Sequence, residues 1–123
     1  MKESSIEILI KHNKAWGLNE LRVSELATKA LKSFGYDKNT ELSIAFVGQK
    51  KAKELNQQYR QKDYIPQVLG FPMSKEKDVD GIYRLGDIVI CTQKLHYETK
   101  YLGMTLDEVL YAWLQHGVEN LLK

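Results

Sequence analysis

The alternation of apolar and polar residues predicts that strands and helices follow one another along the chain. Short runs rich in β-branched and aromatic residues predict four strands, at Ser5–Ile10, Leu42–Val47, Val68–Met73 and Leu85–Cys91. Apolar residues spaced three or four apart predict four helices, over Val23–Phe34, Ala52–Tyr59, Gln93–Leu102 and Thr105–Leu122. The expected fold is therefore α+β or α/β: a small mixed sheet of about four strands packed with helices, in a single domain over residues 1–123.

Local signals mark several of the predicted boundaries. Gly35 is placed to end the first long helix, and Thr105 with Glu108 forms the capping-box pattern that begins the last one. Pro72 restricts the third strand to the edge of a sheet or to a strand end. The polar stretch Ser74–Gly81 predicts a mobile loop.

Length and composition narrow the class of protein. A chain of 123 residues with 43% hydrophobic and 28% charged residues suits one folded domain and excludes a disordered or collagen-like chain. No apolar run approaches the roughly 18 residues of a membrane-spanning helix, and the start, MKESSIEILIK, does not resemble a signal peptide. A membrane partner is therefore not expected.

Charge and cysteine content point to the cellular setting. The 18 basic and 16 acidic residues leave a net charge of +2, too little for a protein that coats duplex nucleic acid but enough for a local basic patch. The lone Cys91 cannot form an internal disulfide, which favours a reducing, cytoplasmic setting.

The last predicted helix contains two polar residues that interrupt its apolar face. That face comprises Leu106, Val109, Leu110, Trp113, Leu114, Gly117, Val118 and Leu121. His116 lies at the edge of this face and Asn120 lies within it, one turn further on. Such interruptions often mark functional sites, but on the helix pattern alone a structural histidine and a capping asparagine near the helix end are the stronger explanation.

Three motifs in order resemble the bacterial YbeY family. They are ELNQQYRQKDYIPQVLGFP (Glu54–Pro72), LGDIVI (Leu85–Ile90) and HGVENL (His116–Leu121). Members of this family are single-strand-specific, metal-dependent endoribonucleases of rRNA maturation and ribosome quality control. The resemblance implies a hydrolase or nuclease of the cytoplasm, with single-stranded rRNA and the small ribosomal subunit as partners and zinc as cofactor.

The resemblance also implies roles for basic residues. Arg60 matches an arginine that the family uses in its activity, and a guanidinium can grip a phosphate and offset charge on a phosphodiester under attack. Lys53 and Lys62 are candidates for contacts with RNA. The alternative is that Arg60 only stabilises a helix end and that the lysines form a solvated helix face.

The chain departs from the family pattern at positions that bear on the metal. Three histidines hold one zinc ion in the family: His116 matches the first, Asn120 stands at the second, and the sequence ends at Lys123 before the third. A neutral amide oxygen is a poor zinc ligand, and a catalytic zinc needs about three protein ligands. Zinc binding by this chain is therefore expected to be weak. Two further departures are Gln67, at a carboxylate position, and Gly70, at a serine position.

Other residues with suitable chemistry could replace the missing ligands. Cys91 and His96 suit zinc, and Asp87 and Glu119 are further candidates, but no spacing indicates that they converge. The simpler expectation is that Cys91 is a buried apolar side chain and that His96 and His12 lie on the surface.

Four hypotheses for the function follow. The first is a metal-dependent endoribonuclease in which Arg60 and His116 are catalytic residues and His116 is a metal ligand. The second is a non-catalytic relative that binds RNA or the ribosome. The third is a shortened form of an active enzyme. The fourth is a purely structural protein that binds a partner. The first hypothesis predicts that Arg60 lies beside a groove and that His116 opens into it.

Overall fold

The computed structural model describes residues 5–123. The strands in this range are β1 (Ile6–Lys11), β2 (Thr40–Val47), β3 (Val68–Pro72) and β4 (Tyr83–Cys91). The α-helices are α1 (Glu20–Ser33), α2 (Gln49–Arg60), α3 (Thr92–Leu102) and α4 (Leu106–Leu121), and a 3-10 turn at Lys14–Trp16 follows β1. The predicted mixed fold of four strands and four helices is confirmed. Residues 1–4, which include part of the segment expected not to be a signal peptide, lie outside the described residues.

The strands form one sheet in the order β1-β2-β4-β3. The three strands β1, β2 and β4 run parallel, and β3 pairs antiparallel with β4. The apolar run at Leu85–Cys91 thus belongs to a central strand, as its composition predicts. Pro72 is the last residue of the edge strand β3, where its missing N–H interrupts no ladder.

One face of the sheet carries the main core. Inward side chains of β2 and β4 pack there against α1, α3 and α4. The core includes Leu31, Ile44, Phe46, Ile88, Ile90, Leu95, Leu114 and Val118. Alternate residues of the same strands point to the opposite face, where α2 lies. The sheet is therefore covered on both faces, more fully on the side of α1 and α4.

A bulge in β4 changes which side chains face the core. Glu41 of β2 pairs with Arg84 of β4, and the next pair is Ser43 with Asp87. One residue separates the two pairs in β2 and two residues separate them in β4, so β4 contains one extra residue. Gly86 supplies the extra residue at φ +130°, and a Cβ there would lie 2.2 Å from the Phe71 carbonyl oxygen. The bulge leaves Asp87 on the face of α2 and exposed to solvent.

Capping contacts determine where two helices begin. The Asn19 side chain accepts a hydrogen bond from the Arg22 N–H at 3.1 Å, so α1 starts at Glu20, three residues before the predicted start. The predicted capping box of α4 is present: Thr105 Oγ1 accepts from the Glu108 N–H at 3.1 Å, and Glu108 Oε1 accepts from the Thr105 N–H at 2.9 Å. No helix in residues 5–123 is long and apolar enough to cross a membrane.

Candidate functional site

The last turn of α2 places Arg60 at the mouth of a cleft. The helix ends because Gln61 adopts a left-handed conformation with φ of 55°, and the Gln61 N–H donates to the Gln57 carbonyl at 3.1 Å. Arg60 is exposed, and its Nη1 donates a hydrogen bond of 3.3 Å to Asn56 Oδ1. A guanidinium carries five N–H donors, so this contact leaves most of them available to an anion.

Asn56 connects α2 to the loop that follows it. Its side chain is fully buried, and Nδ2 donates to the Tyr64 carbonyl oxygen at 3.0 Å while Oδ1 accepts from Arg60. A buried amide is stable only when its polar atoms are paired, as both are here. Asn56 therefore positions Arg60 and the loop at residues 61–67 together.

The cleft has a volume of about 400 Å³ and lies where α2, the loop at 61–67, α3 and α4 meet. It is lined by Arg60, Tyr64, Ile65, Pro66, Gln67, Val68, Lys94 and His116. These side chains are basic, neutral polar or apolar, and within residues 5–123 neither Arg60 nor Lys94 forms an ion pair. The cleft is therefore suited to an anion.

His116 reaches the cleft from α4. Its side chain is 57% exposed, and Nδ1 lies 3.9 Å from Glu119 Oε1, too far for a strong hydrogen bond. The residue after it, Gly117, lies against Ile88 of β4, which holds this part of α4 close to the sheet. His116 therefore opens into the cleft that Arg60 also lines, which is the geometry that the first hypothesis requires.

Asn120 does not line this cleft. It is half-buried, and its Cβ lies 3.1 Å from the point where a Cβ would stand on Gly70. Asn120 and Gly70, which both differ from the family pattern, therefore touch each other between α4 and β3. A side chain at position 70 would displace Asn120 or the helix.

The two lysines proposed to bind RNA lie outside the cleft. Lys53 Nζ is 3.7 Å from Asp63 Oδ1, with both side chains largely exposed, and Lys62 is exposed on the loop. An ion pair of this kind contributes little to stability and remains exchangeable. Both lysines remain predicted RNA contacts, but beside the cleft rather than in it.

Lys94 and Gln67 were not identified as site residues from the sequence. Lys94 lies in the first turn of α3 and reaches the cleft because β4, which precedes it, lies beside β3. Gln67 Nε2 donates to Glu98 Oε1 at 2.5 Å, and the Gln67 carbonyl accepts from the Cys91 N–H at 3.0 Å. Gln67 stands where the family pattern has a carboxylate, so position 67 itself adds no negative charge to the cleft, although its amide binds the Glu98 carboxylate.

The side chains with metal-binding chemistry do not converge. No group of three or more His, Cys, Asp or Glu residues in residues 5–123 could hold a metal ion. Cys91 is buried at the end of β4, as expected, and His96 is exposed and lies beside Trp16 in a separate pocket. Asp87 points to the face of α2, on the other side of the sheet from α4. The residues of this range therefore do not fit a zinc centre with three protein ligands.

Comparisons with known proteins identify the family of the chain and agree with its fold. The sequence model of the family described as Endoribonuclease YbeY matches residues 8–122. The chain belongs to the YbeY family. It is 32% identical over 121 residues to the Endoribonuclease YbeY of Aquifex aeolicus, an alignment that covers 98% of this chain and 78% of that protein.

Two further comparisons concern a shorter alignment and a solved structure. The Endoribonuclease YbeY of Stutzerimonas stutzeri is 38% identical over 84 residues, which cover 68% of this chain and 52% of that protein. The solution structure of TM1509 from Thermotoga maritima superposes with a TM-score of 0.61 at 25% identity, covering 97% of this chain and 73% of that chain. The fold of this chain is therefore one that a solved structure also shows over nearly its whole length.

Proposed function

We propose that this chain acts on single-stranded RNA as a factor of rRNA maturation and ribosome quality control. Its setting would be the cytoplasm and its partner the small ribosomal subunit, with residues 1–123 acting as one domain. The observation that supports this proposal is that Arg60, Lys94 and His116 line one cleft. Membership of a family whose members are named endoribonucleases supports RNA as the substrate.

The cleft supplies the groups that a phosphodiester requires. Arg60 donates two parallel N–H bonds to a phosphate, while Asn56 fixes its orientation. Lys94, on α3, adds a second positive charge to the same cleft. Charge that grows on the phosphoryl oxygens during cleavage is then offset by groups already in place. His116 presents an exposed imidazole, whose ring nitrogens can donate or accept hydrogen bonds to a bound phosphodiester.

Two functions in RNA metabolism are compatible with this cleft: cleavage of RNA, and binding of RNA without cleavage. We infer that Arg60 and His116 act in catalysis if the chain hydrolyses RNA, and that zinc, the cofactor implied by the family, is bound weakly. The second candidate function is RNA binding without hydrolysis. It is favoured by the absence of a group of three metal-ligating residues within residues 5–123.

A binding experiment tests the role of Arg60. We expect Arg60→Ala to weaken binding of a labelled single-stranded RNA about tenfold or more, since a hydrogen-bonded charge pair contributes about 1.5–3 kcal/mol. Arg60→Lys should recover part of the loss, because it keeps the charge without the planar fork. Lys51→Ala, on the same helix but outside the cleft, removes an equal charge and should change the affinity far less. Unchanged binding by a stably folded Arg60→Ala variant would reject the proposal.

Product analysis separates the two candidate functions. RNA is incubated with the protein before and after addition of zinc, and bound zinc is measured by elemental analysis after dialysis. Cleavage that is lost in His116→Ala, while RNA binding persists, would assign the chain to the nucleases. RNA binding without cleavage under either condition would assign it to the non-catalytic relatives.

A further inference from the structure

A second concavity lies on the face of the sheet that α2 covers only in part. Its volume is about 660 Å³, within the range of about 300–1,000 Å³ that is usual for small-molecule sites. Two rows of side chains across neighbouring strands form its floor: Leu9, Ser43, Asp87 and Phe71 in the first, and Lys11, Ala45 and Val89 in the second. Because Ser43 and Ala45 are small, the floor is hollow over β2. We call this concavity the sheet groove.

The wall of the sheet groove carries an exposed aromatic ring. Tyr59 of α2 is 57% exposed, although tyrosine is a large and mainly apolar side chain. Its ring meets Phe71 edge to face, with centroids 5.2 Å apart and planes at 79°. This contact holds the Tyr59 ring in place, and its 57% exposure leaves ring surface open at the groove. A fixed, open ring is the surface on which nucleobases stack.

Asp87 is the acidic group in the floor. The bulge at Gly86 directs it into the sheet groove rather than into the core, and it takes part in none of the ion pairs within residues 5–123. A carboxylate accepts hydrogen bonds at two oxygens and donates none when ionised. It therefore selects a ligand edge with two adjacent donors.

The sheet groove adjoins the basic cleft. Tyr59 lines the groove and Arg60 lines the cleft, and these consecutive residues in the last turn of α2 have Cα atoms about 3.8 Å apart. A ligand with a phosphate on Arg60 can therefore place an attached or neighbouring aromatic group on Tyr59. A nucleotide of an RNA strand has this form.

We propose that the sheet groove is a subsite for a guanine base of single-stranded RNA, stacked on Tyr59 and hydrogen-bonded to Asp87. Guanine presents N1–H and the N2 amino group side by side, which matches two carboxylate oxygens. Adenine and cytosine present one amino group beside a ring nitrogen that repels a carboxylate, and uracil presents one N–H between two carbonyl oxygens. This inference rests on the proposed function and adds the base that the chain prefers.

The test uses short uridine oligomers that carry one central guanosine, inosine or adenosine. Inosine lacks only the 2-amino group, so it isolates one of the two hydrogen bonds to Asp87. Affinity is measured by fluorescence anisotropy at one fixed salt concentration, since RNA binding depends on salt. We expect the guanosine oligomer to bind about tenfold more tightly than the inosine oligomer. Asp87→Asn should largely remove this difference, because an amide offers one acceptor.

Substitutions of Tyr59 test the stacking. Tyr59→Ala should weaken binding of the guanosine oligomer about 5- to 150-fold, while Tyr59→Phe should bind like the natural chain. Tyr97→Ala is the matched control, since Tyr97 is 58% exposed on α3 and does not line the groove. Thermal melting confirms that each variant is folded.

The outcomes separate this inference from the proposed function. Failure of the natural chain to bind any of the oligomers would overturn both. Binding that depends on Arg60 but does not distinguish guanosine from inosine, or that survives Tyr59→Ala, would overturn the guanine subsite and leave the RNA-directed function standing.

Discussion

The substitution Gly117→Ala tests whether α4 packs on the sheet so closely that only glycine fits at position 117. An ideal Cβ on Gly117 would lie 2.8 Å from Cδ1, 2.9 Å from Cγ2 and 3.1 Å from Cγ1 of Ile88. Ile88 is fully buried in the central strand β4 and is β-branched, so it has little freedom to move away. The new methyl group must therefore push α4 from the sheet or force Ile88 from its rotamer.

Two opposing contributions determine the size of the effect. Adding a methylene to a tightly packed core costs about 1–3 kcal/mol. Replacing glycine by alanine within a helix contributes about 1 kcal/mol in the stabilising direction. The two contributions together leave Gly117→Ala with a free energy of unfolding lower by about 0–2 kcal/mol. For a chain of 123 residues, the upper end of this range corresponds to a fall in Tm of about 8 °C.

Urea denaturation monitored by circular dichroism measures this change, with two reference variants. Ala112→Gly, at an exposed position of α4, reports the helix-propensity contribution alone and should cost about 1 kcal/mol. Ile88→Val removes the nearest atom, and combined with Gly117→Ala it should cost clearly less than the sum of the two single changes. A stabilising Gly117→Ala, or full additivity of the pair, would refute the packing argument.

Two further predictions concern stability. The Glu20 carboxylate lies 2.7 Å from His12 Nε2 and raises the pKa of His12 above its usual value of 6.5. The contact therefore stabilises the fold fully below pH 6.5, and this stabilisation is lost as the pH rises through the raised pKa. Urea denaturation should therefore show a larger loss in His12→Gln below pH 6.5 than well above it, and a difference independent of pH would contradict the role of Glu20. Thr105→Ala should cost about 1 kcal/mol in the same assay because the Glu108 N–H loses its acceptor, whereas Thr105→Ser should cost much less; equal losses in both variants would argue against the cap.

The position of His12 differs from the one expected from the sequence. From the sequence, His12 is expected to lie on the surface. In the structure the side chain is only 8% exposed, and both ring nitrogens make hydrogen-bond contacts, one with the Asn13 carbonyl and one with the Glu20 carboxylate. His96, by contrast, is exposed as expected. A single residue in a connecting segment has no neighbours at fixed spacing from which its burial can be predicted.

Residues close together in the sequence encode much of this fold. The apolar stripe of α4, the capping box at Thr105 and the strand end at Pro72 each depend on contacts within a few positions, and each is present. The three motifs that resemble the YbeY family likewise identify Arg60 and His116 as candidates from the order of residues alone. Periodicity, capping and motif spacing are local properties, so one sequence is sufficient to predict them.

The tertiary structure alone decided how the candidates combine. The strand order β1-β2-β4-β3 brings Lys94 to the same cleft as Arg60 and His116, while Lys53 and Lys62 remain outside it. The bulge at Gly86 turns Asp87 towards α2. These outcomes depend on which strands pair, in what register, and on which face each helix packs. Such choices are governed by contacts between distant segments, and no local pattern in the sequence records them.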